Sequence, residues 1–408
     1  MSETRISHVP IFKRGFGLKS EVADELESDY HSELVQYLQH HQFSLDRPEV
    51  EIRLAREFGF CYGVDRAVDY AYETRKKFPE KRLFLTAEII HNPRVNRRLN
   101  ELGIQFLSGR YASGNSIETL TKEDVVLLPA FGVSTRELDR LRQTGCILVD
   151  TTCGSVANVW RRVERYSKEG YTSIIHGKYD HEETIATCSR AESVHGGQYL
   201  VVKDLEQTQF VCDWIRRRGD RQQFLDIYTH AVSPGFDPDI HLEKVGIANQ
   251  TTMLSSESLE IARQIRQAIA DHYGEEETQR RFLSFDTICS ATQERQDAVI
   301  ELCREGLDLM IVIGGFNSSN TGHLCEIGSS HCPTYHIDEV SRIDGTTRIT
   351  HQLPHSNEIK VTENWLPEGK CRIGFTAGAS TPNQVVGEVI RTVLNLKGAT
   401  AEDFLPMS

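Results

Sequence analysis

Nine times between residues 51 and 390, a short run of aliphatic or β-branched residues stops at a small or polar residue and a helix-period pattern follows. This alternation predicts an α/β fold, with parallel strands joined by crossover helices. In such sheets ligands gather beyond the carboxyl ends of the strands. The residues that close each run are therefore the first candidates for function.

They fall into three kinds. A cysteine closes REFGFC (Cys61), CILVDTTC (Cys153) and LSFDTIC (Cys289). Polar clusters close LFLTAEIIHN (His91), YTSIIHGKYDHEET (His181, Glu183) and LDLMIVIGGFNSSN (Ser318, Ser319, Asn320). Small residues or hydroxyls close VVLLPAFGVST, KVGIANQTTM (Thr251) and CRIGFTAGAST (Ser380). In chain order the kinds run cysteine, polar cluster, hydroxyl, three times over. A repeat of this kind predicts three similar α/β units, at 51–150, 151–288 and 289–390, in a pseudo-threefold arrangement. The second interval between cysteines is the longer, which places an insertion in the middle unit, around residues 233–241. Residues 1–50 read as an N-terminal extension and 391–408 as a C-terminal tail. Within the extension, Ser20–His41 reads as one helix capped by Ser20, with Val22, Leu26, Leu34, Val35 and Leu38 on an apolar stripe that docks on the main body.

At 408 residues the chain is too long for one ordinary core. Its net charge of −13 argues against nucleic acid or an anionic membrane as a partner. No apolar run approaches the ~18–20 residues that span a bilayer, and MSETRISHVPIF lacks the layout of a secretory signal. A cytoplasmic setting follows as the expectation, and with it ten reduced cysteines.

One strand-end cysteine is ordinarily a packed small hydrophobe. Three at the same point of three repeated units are different: about a pseudo-threefold axis the thiols would converge. Three soft thiolates fit an iron–sulfur cluster or, less well, zinc. Since most [4Fe–4S] clusters take four thiolates, three would leave one iron open as a Lewis acid. No CxxC pair occurs, so zinc ribbons, ferredoxin runs and thioredoxin-type motifs lack support. His91 and His181 could donate to phosphate oxygens, and bound diphosphate would favour their charged forms. Ser318, Ser319 and Asn320 follow a Gly-Gly pair that lets backbone approach a ligand, and Ser380 precedes a helix. Glu183, two residues from His181, would share its face in extended chain and is a candidate proton donor, with Thr251 able to hold or pass a proton.

At GFCYGVDRA, EIIHNPRVN, HEETIAT, NQTTM, TICSATQERQDAV, NSSN and TAGASTP the sequence resembles the LytB/IspH family of 4-hydroxy-3-methylbut-2-enyl diphosphate reductases, with the blocks in the family's order from about residue 51 onward. The extension, IHGKYDHEETIAT and LPAFG resemble its longer-chain branch in plants and cyanobacteria. The resemblance implies a three-lobed α/β fold around one [4Fe–4S] cluster per chain, held by Cys61, Cys153 and Cys289 with one open iron. It implies that His91, His181, Ser318, Asn320 and Ser380 hold the diphosphate, that Ser319 lines the same site, and that Glu183 delivers protons with the help of Thr251. Two positions depart from the common pattern: Phe131 stands where many bacterial members have a histidine, and Gly154 where proline is common. The first removes a phosphate donor; the second would loosen the turn beside Cys153.

Such a reaction needs two electrons from outside. No GxGxxG follows a strand, so a ferredoxin or flavodoxin is the expected donor, and Arg216, Arg217 and Arg218 form a basic run that could dock one. Rival readings are a three-cysteine dehydratase of the quinolinate synthase type, a non-catalytic cluster-based redox sensor, and a zinc-stabilised binding protein.

Overall fold

Runs such as VVLL (Val125–Leu128), TSIIH (Thr172–His176) and LMIVI (Leu309–Ile313) are buried at every residue. Strands covered on both faces have no reason to alternate apolar with polar, and these do not. The computed structural model, which describes residues 10–285 and 287–401, arranges the strands in three sheets of five, four and eight.

One strand order is used three times. The five-stranded sheet contains, side by side, Ile147–Asp150, Val125–Leu128, Leu83–Leu85 and Ile104–Phe106. The four-stranded sheet runs Phe282–Ser284, Val245–Asn249, Thr172–His176 and Tyr199–Val202. The eight-stranded sheet contains Val50–Leu54, Cys371–Ala377, Leu309–Ile313 and Thr334–Ile337 in the matching places. In each, the strand leading to a cysteine pairs in parallel with the strand leading to the hydroxyl loop, which pairs in parallel with the strand leading to the polar cluster.

The sheets divide the chain differently from cuts at 51, 151 and 289. Val50–Leu54, expected to open the first unit, pairs with Cys371–Ala377, from Val50↔Cys371 to Leu54↔Phe375, and so completes the last sheet. Ile147–Asp150 and Phe282–Ser284 likewise close the sheets of the strands before them. In the first two sheets the cysteine strand ends its group, and in the third it comes from far earlier in the chain. By packing, the chain forms two compact units. The first comprises the residues up to Arg14, Lys81–Ala87 and Gln105–Cys289; the second comprises Gly15–Glu80, Glu88–Ile104 and the residues from Ser290 onward. Helix Asn383–Leu396 runs through the start of the expected tail at 391, and residues 402–408 and 1–9 lie outside the described residues. Around 233–241, the expected insertion holds a short helix, Pro238–His241, capped by Asp237.

The extension is shared: Ile11–Phe12 pairs with Ile147–Asp150 in the first unit, and from Gly15 on it belongs to the second. Its single expected helix is two, Lys19–Tyr30 and Glu33–His40. His31 is extended, and Ser32 starts the chain again as an N-cap, accepting from Val35 N–H at 3.3 Å. Ser20 does not cap the first helix; the Glu73 carboxylate takes the N–H groups of Phe16 and Leu18 instead. Leu34, Val35 and Leu38 pack among Val389, Ile390 and Val393. Asp29 accepts from Tyr72 Oη at 2.6 Å and Arg98 Nε at 2.8 Å. It thereby ties helix Tyr62–Lys77, which begins at Cys61, to helix Pro93–Glu101, which begins just after His91.

His336 lies inside this unit and donates Nε2–H to Gly314 O at 2.9 Å, at the turn that leads to Ser318. Burial pushes its pKa from 6.5 down to about 4. In the unfolded chain the ring takes a proton near pH 6.5, while the folded protein refuses it until near pH 4. Stability therefore falls as pH drops through that window, by on the order of 2 kcal/mol between about pH 7 and about pH 5. His336→Gln, which keeps a donor but does not titrate, is expected to show a shallower loss in urea unfolding across the same range. Parallel losses would show that His336 is not the group responsible.

Candidate active site

In the second unit, strands Val50–Leu54, Leu309–Ile313 and Cys371–Ala377 are parallel and end on one edge. Gly59, at φ +69°, turns the chain toward Cys61, and a Cβ there would sit 2.9 Å from Asn383 Oδ1. Cys61 N–H donates to Ala379 O at 3.1 Å, and Ala379 N–H donates to Asn320 Oδ1 at 2.8 Å. Asn320 is 2% exposed, and its Nδ2 has no partner among the described residues. A buried amide donor left unsatisfied is costly, and an anionic ligand would satisfy it. Ser318 caps helix Ser319–Ser329; its Oγ accepts from Thr321 N–H and Thr321 Oγ–H, which leaves its own proton for another acceptor. Ser319 is buried in the first turn of that helix. Ser380 Oγ–H donates to His91 O at 3.1 Å, so in this state Ser380 holds the histidine's backbone.

His91 is oriented by two residues absent from the sequence-level candidates. Asn317 Nδ2 donates to Glu88 Oε2 at 3.1 Å and lies 3.0 Å from His91 Nδ1, while Glu88 Oε2 lies 3.4 Å from the same nitrogen. If Nδ1 accepts from Asn317, the ring proton sits on Nε2. If the ring is charged, Nδ1–H pairs with Glu88. Both forms keep Nε2 a donor. Gly315 allows the approach, since a Cβ there would meet His91 O at 2.4 Å.

The first unit carries Cys153, Cys289, His181, Glu183 and Thr251. His181 and Glu183 are not in extended chain: His181 caps helix Glu182–Glu192, its Nδ1 accepting from Glu183 N–H at 3.1 Å. In that bond Nδ1 is the acceptor, which leaves the ring proton to Nε2. Phe131 packs its ring edge-on to the His181 imidazole, centroids 6.3 Å apart, so the residue that cannot donate instead buttresses one that can. Glu183, 2% exposed, receives Thr251 N–H on Oε1 at 2.6 Å and Thr251 Oγ–H on Oε2 at 2.9 Å. Gln250 fixes both loops. Its Oε1 accepts from Lys178 N and Thr184 Oγ1, each at 3.1 Å, and its Nε2 donates to Thr252 Oγ1 at 2.8 Å. Gln250 and Asn317 stand inside or beside the polar clusters of the sequence, NQTTM and FNSSN, which was the signal available for them.

The cysteines divide by environment. Cys61 and Cys153 occupy the N-cap positions of helices Tyr62–Lys77 and Gly154–Lys168, with neither thiol used as a cap, and Cys289 immediately precedes helix Ser290–Cys303. Ser155 Oγ lies 3.4 Å from Cys289 Sγ, a hydroxyl in contact with sulfur. The turn at Gly154 is not loose: the helix begins there with Ala157 N–H on Cys153 O at 3.0 Å. By contrast, burial pushes the thiol pKa of Cys212 and Cys303 up to about 11 and that of Cys325 up to about 12. Those are packed apolar thiols. The three at helix starts suit soft metal ions, so the residues present fit an iron–sulfur group.

An α/β fold with imidazole, hydroxyl and amide donors at the strand ends, and thiols at three helix starts, has the parts of a metal–thiolate enzyme that handles an anion. Residues 52–394 match the family model described as LytB protein. The chain is 49% identical to the 4-hydroxy-3-methylbut-2-enyl diphosphate reductase of Gloeothece citriformis and 50% identical to that of a Nostoc species, each over 95% of both chains. It is also similar to a solved structure of (E)-4-hydroxy-3-methyl-but-2-enyl diphosphate reductase, described as the terminal enzyme of the non-mevalonate pathway. There the identity is 28% and the TM-score 0.51, covering 84% of this chain and 99% of the other. A Plasmodium falciparum reductase structure shares the fold at TM-score 0.62 and 20% identity. The chain belongs to the LytB family, a family of iron–sulfur enzymes.

Asn317→Ala and Glu88→Gln are each expected to weaken binding of inorganic diphosphate about tenfold in calorimetry, the worth of one hydrogen bond to a charged group. Unchanged affinity would mean that His91 is not positioned by them.

Proposed function

We propose that this chain reduces 4-hydroxy-3-methylbut-2-enyl diphosphate to isopentenyl and dimethylallyl diphosphates, the last step of the methylerythritol phosphate route, with a [4Fe–4S] cluster on Cys61, Cys153 and Cys289. The observation that carries it is the match at about half identity across nearly the whole of the curated relatives named for this reaction. That match leaves the quinolinate synthase type and the sensor without support.

When bound, a cluster with one iron free of thiolate supplies a Lewis acid and a route for two electrons. The chain's own residues do the rest. His91 and His181 each offer Nε2–H to the diphosphate, Ser318 its hydroxyl proton, Ser319 lines the site, and Asn320 offers its unsatisfied Nδ2. Ser380 holds His91 in place and can contribute its hydroxyl if it releases the carbonyl. Glu183 and Thr251 move the proton. Across the 2.9 Å contact, Thr251 Oγ can take a proton from protonated Glu183 Oε2 and pass its own to the allylic hydroxyl. The oxygen departs as water, and a second proton and two electrons complete the allylic product. Protonation at either end of the allyl unit accounts for two isomers.

A reducing, cytoplasmic setting is part of this reading, since it keeps thiols available for a metal group. No helix among the described residues is long and apolar enough to cross a membrane. A ferredoxin or flavodoxin remains the proposed donor. The run Arg216–Arg218 is a weaker docking patch than its sequence suggests, because Arg216 pairs with Asp271 at 2.8 Å and Arg217 with Asp239 at 3.1 Å.

Glu183→Gln is expected to retain iron, sulfide and diphosphate binding while anaerobic turnover with reduced methyl viologen falls about 10²–10⁴-fold, the usual worth of general acid catalysis. Unimpaired turnover would remove Glu183 from the proton path.

A further inference from the structure

Arg295 lies on helix Ser290–Cys303 and is 3% exposed. Its guanidinium meets only neutral acceptors among the described contacts. Nε and Nη2 donate to Gly59 O at 3.2 and 2.8 Å, Nη2 also to Phe60 O at 3.2 Å, and Nη1 to Ala291 O at 2.8 Å. Among the described residues no carboxylate forms an ion pair with it. Asp65 feels its charge: its carboxyl is pushed up chiefly by burial, with Arg295 opposing that shift.

A buried cation satisfied only by carbonyls is a poor bargain in an isolated fold. Its desolvation cost is several kcal/mol, and neutral acceptors repay only part of it. Where cohesion alone is needed, an apolar side chain does as well or better. Such a charge makes physical sense where negative charge arrives from elsewhere. The carbonyls that Arg295 grips belong to the two residues immediately before Cys61, and its helix begins one residue after Cys289. One candidate thiolate thus precedes it closely in sequence and another follows the carbonyls it holds, and thiolate-ligated clusters carry net negative charge that grows on reduction.

We infer that Arg295 is a positioning residue for the iron–sulfur group: it clamps the Gly59–Phe60 approach to Cys61 and supplies the fixed positive charge that makes the bound cluster easier to reduce. The inference rests on the cluster reading above. It goes further by assigning the control of potential to a residue that neither ligates metal nor meets substrate.

The experiment compares anaerobically purified holoenzyme with Arg295→Met and Arg295→Lys, using iron and sulfide content, circular dichroism and a mediated redox titration followed by electron paramagnetic resonance. Met should fold and assemble a cluster, yet show a midpoint potential clearly more negative than wild type and faster iron loss to a chelator. Lys keeps the charge but not the fork of carbonyl bonds. It should stay near the wild-type potential while still losing iron faster. An unmoved potential in the Met variant, or equal shifts in Met and Lys, would overturn the inference. If Met does not assemble a cluster, the Lys variant decides: a potential displaced as far as that of a neutral Arg295→Gln variant would refute the charge role. Wild-type protein that holds no iron or sulfide would instead refute the underlying cluster reading, an outcome distinct from these.

Discussion

Parallel strands covered on both faces cannot use their edges or faces for function, because water never reaches them. Their carboxyl ends are where side chains and backbone N–H groups become available together. Everything proposed for this chain depends on that constraint. In the eight-stranded sheet, two strands stop in register and the third two residues short of them, and within seven residues of their ends stand Cys61, Ser318 to Asn320, and Ser380. The bonds from Cys61 N–H to Ala379 O and from Ala379 N–H to Asn320 Oδ1 then lock the three loops to one another. A cysteine position and an amide proposed to meet the diphosphate are therefore parts of one network.

The same economy appears in the supporting residues. Asn320 spends its oxygen on backbone and keeps its amide for a ligand. His181 spends Nδ1 on the N–H of its own helix. Asn317 and Glu88 hold His91 at Nδ1. In each case one end of a bifunctional side chain is fixed by the fold so that the other end has a defined direction. Preorganised donors of this kind bind an anion without first paying to be ordered.

Much of this was legible in the sequence because the repeat is chemical as well as hydrophobic. The aliphatic runs mark strands, and the residues that stop them make up the proposed site. What the sequence could not give was pairing. A strand's partner is set by long-range hydrogen bonds, so nothing local reveals that Val50–Leu54 completes a sheet with Cys371–Ala377, far along the chain. The break at His31 was hidden because Ser32 looks like any polar helix residue until it caps. The strands Ile104–Phe106, Tyr199–Val202 and Thr334–Ile337 end in no distinctive residue and so gave no signal. Glu88, Asn317, Gln250 and Arg295 act through other residues, and a supporting role leaves no motif of its own.

The most direct test of the central claim is Mössbauer spectroscopy of anaerobically reconstituted, iron-57-labelled protein, before and after addition of 4-hydroxy-3-methylbut-2-enyl diphosphate. Three thiolate-held irons and one distinct iron, with only the distinct one changing when substrate is added, is the result the account predicts. Four equivalent irons, or a spectrum indifferent to substrate, would contradict it.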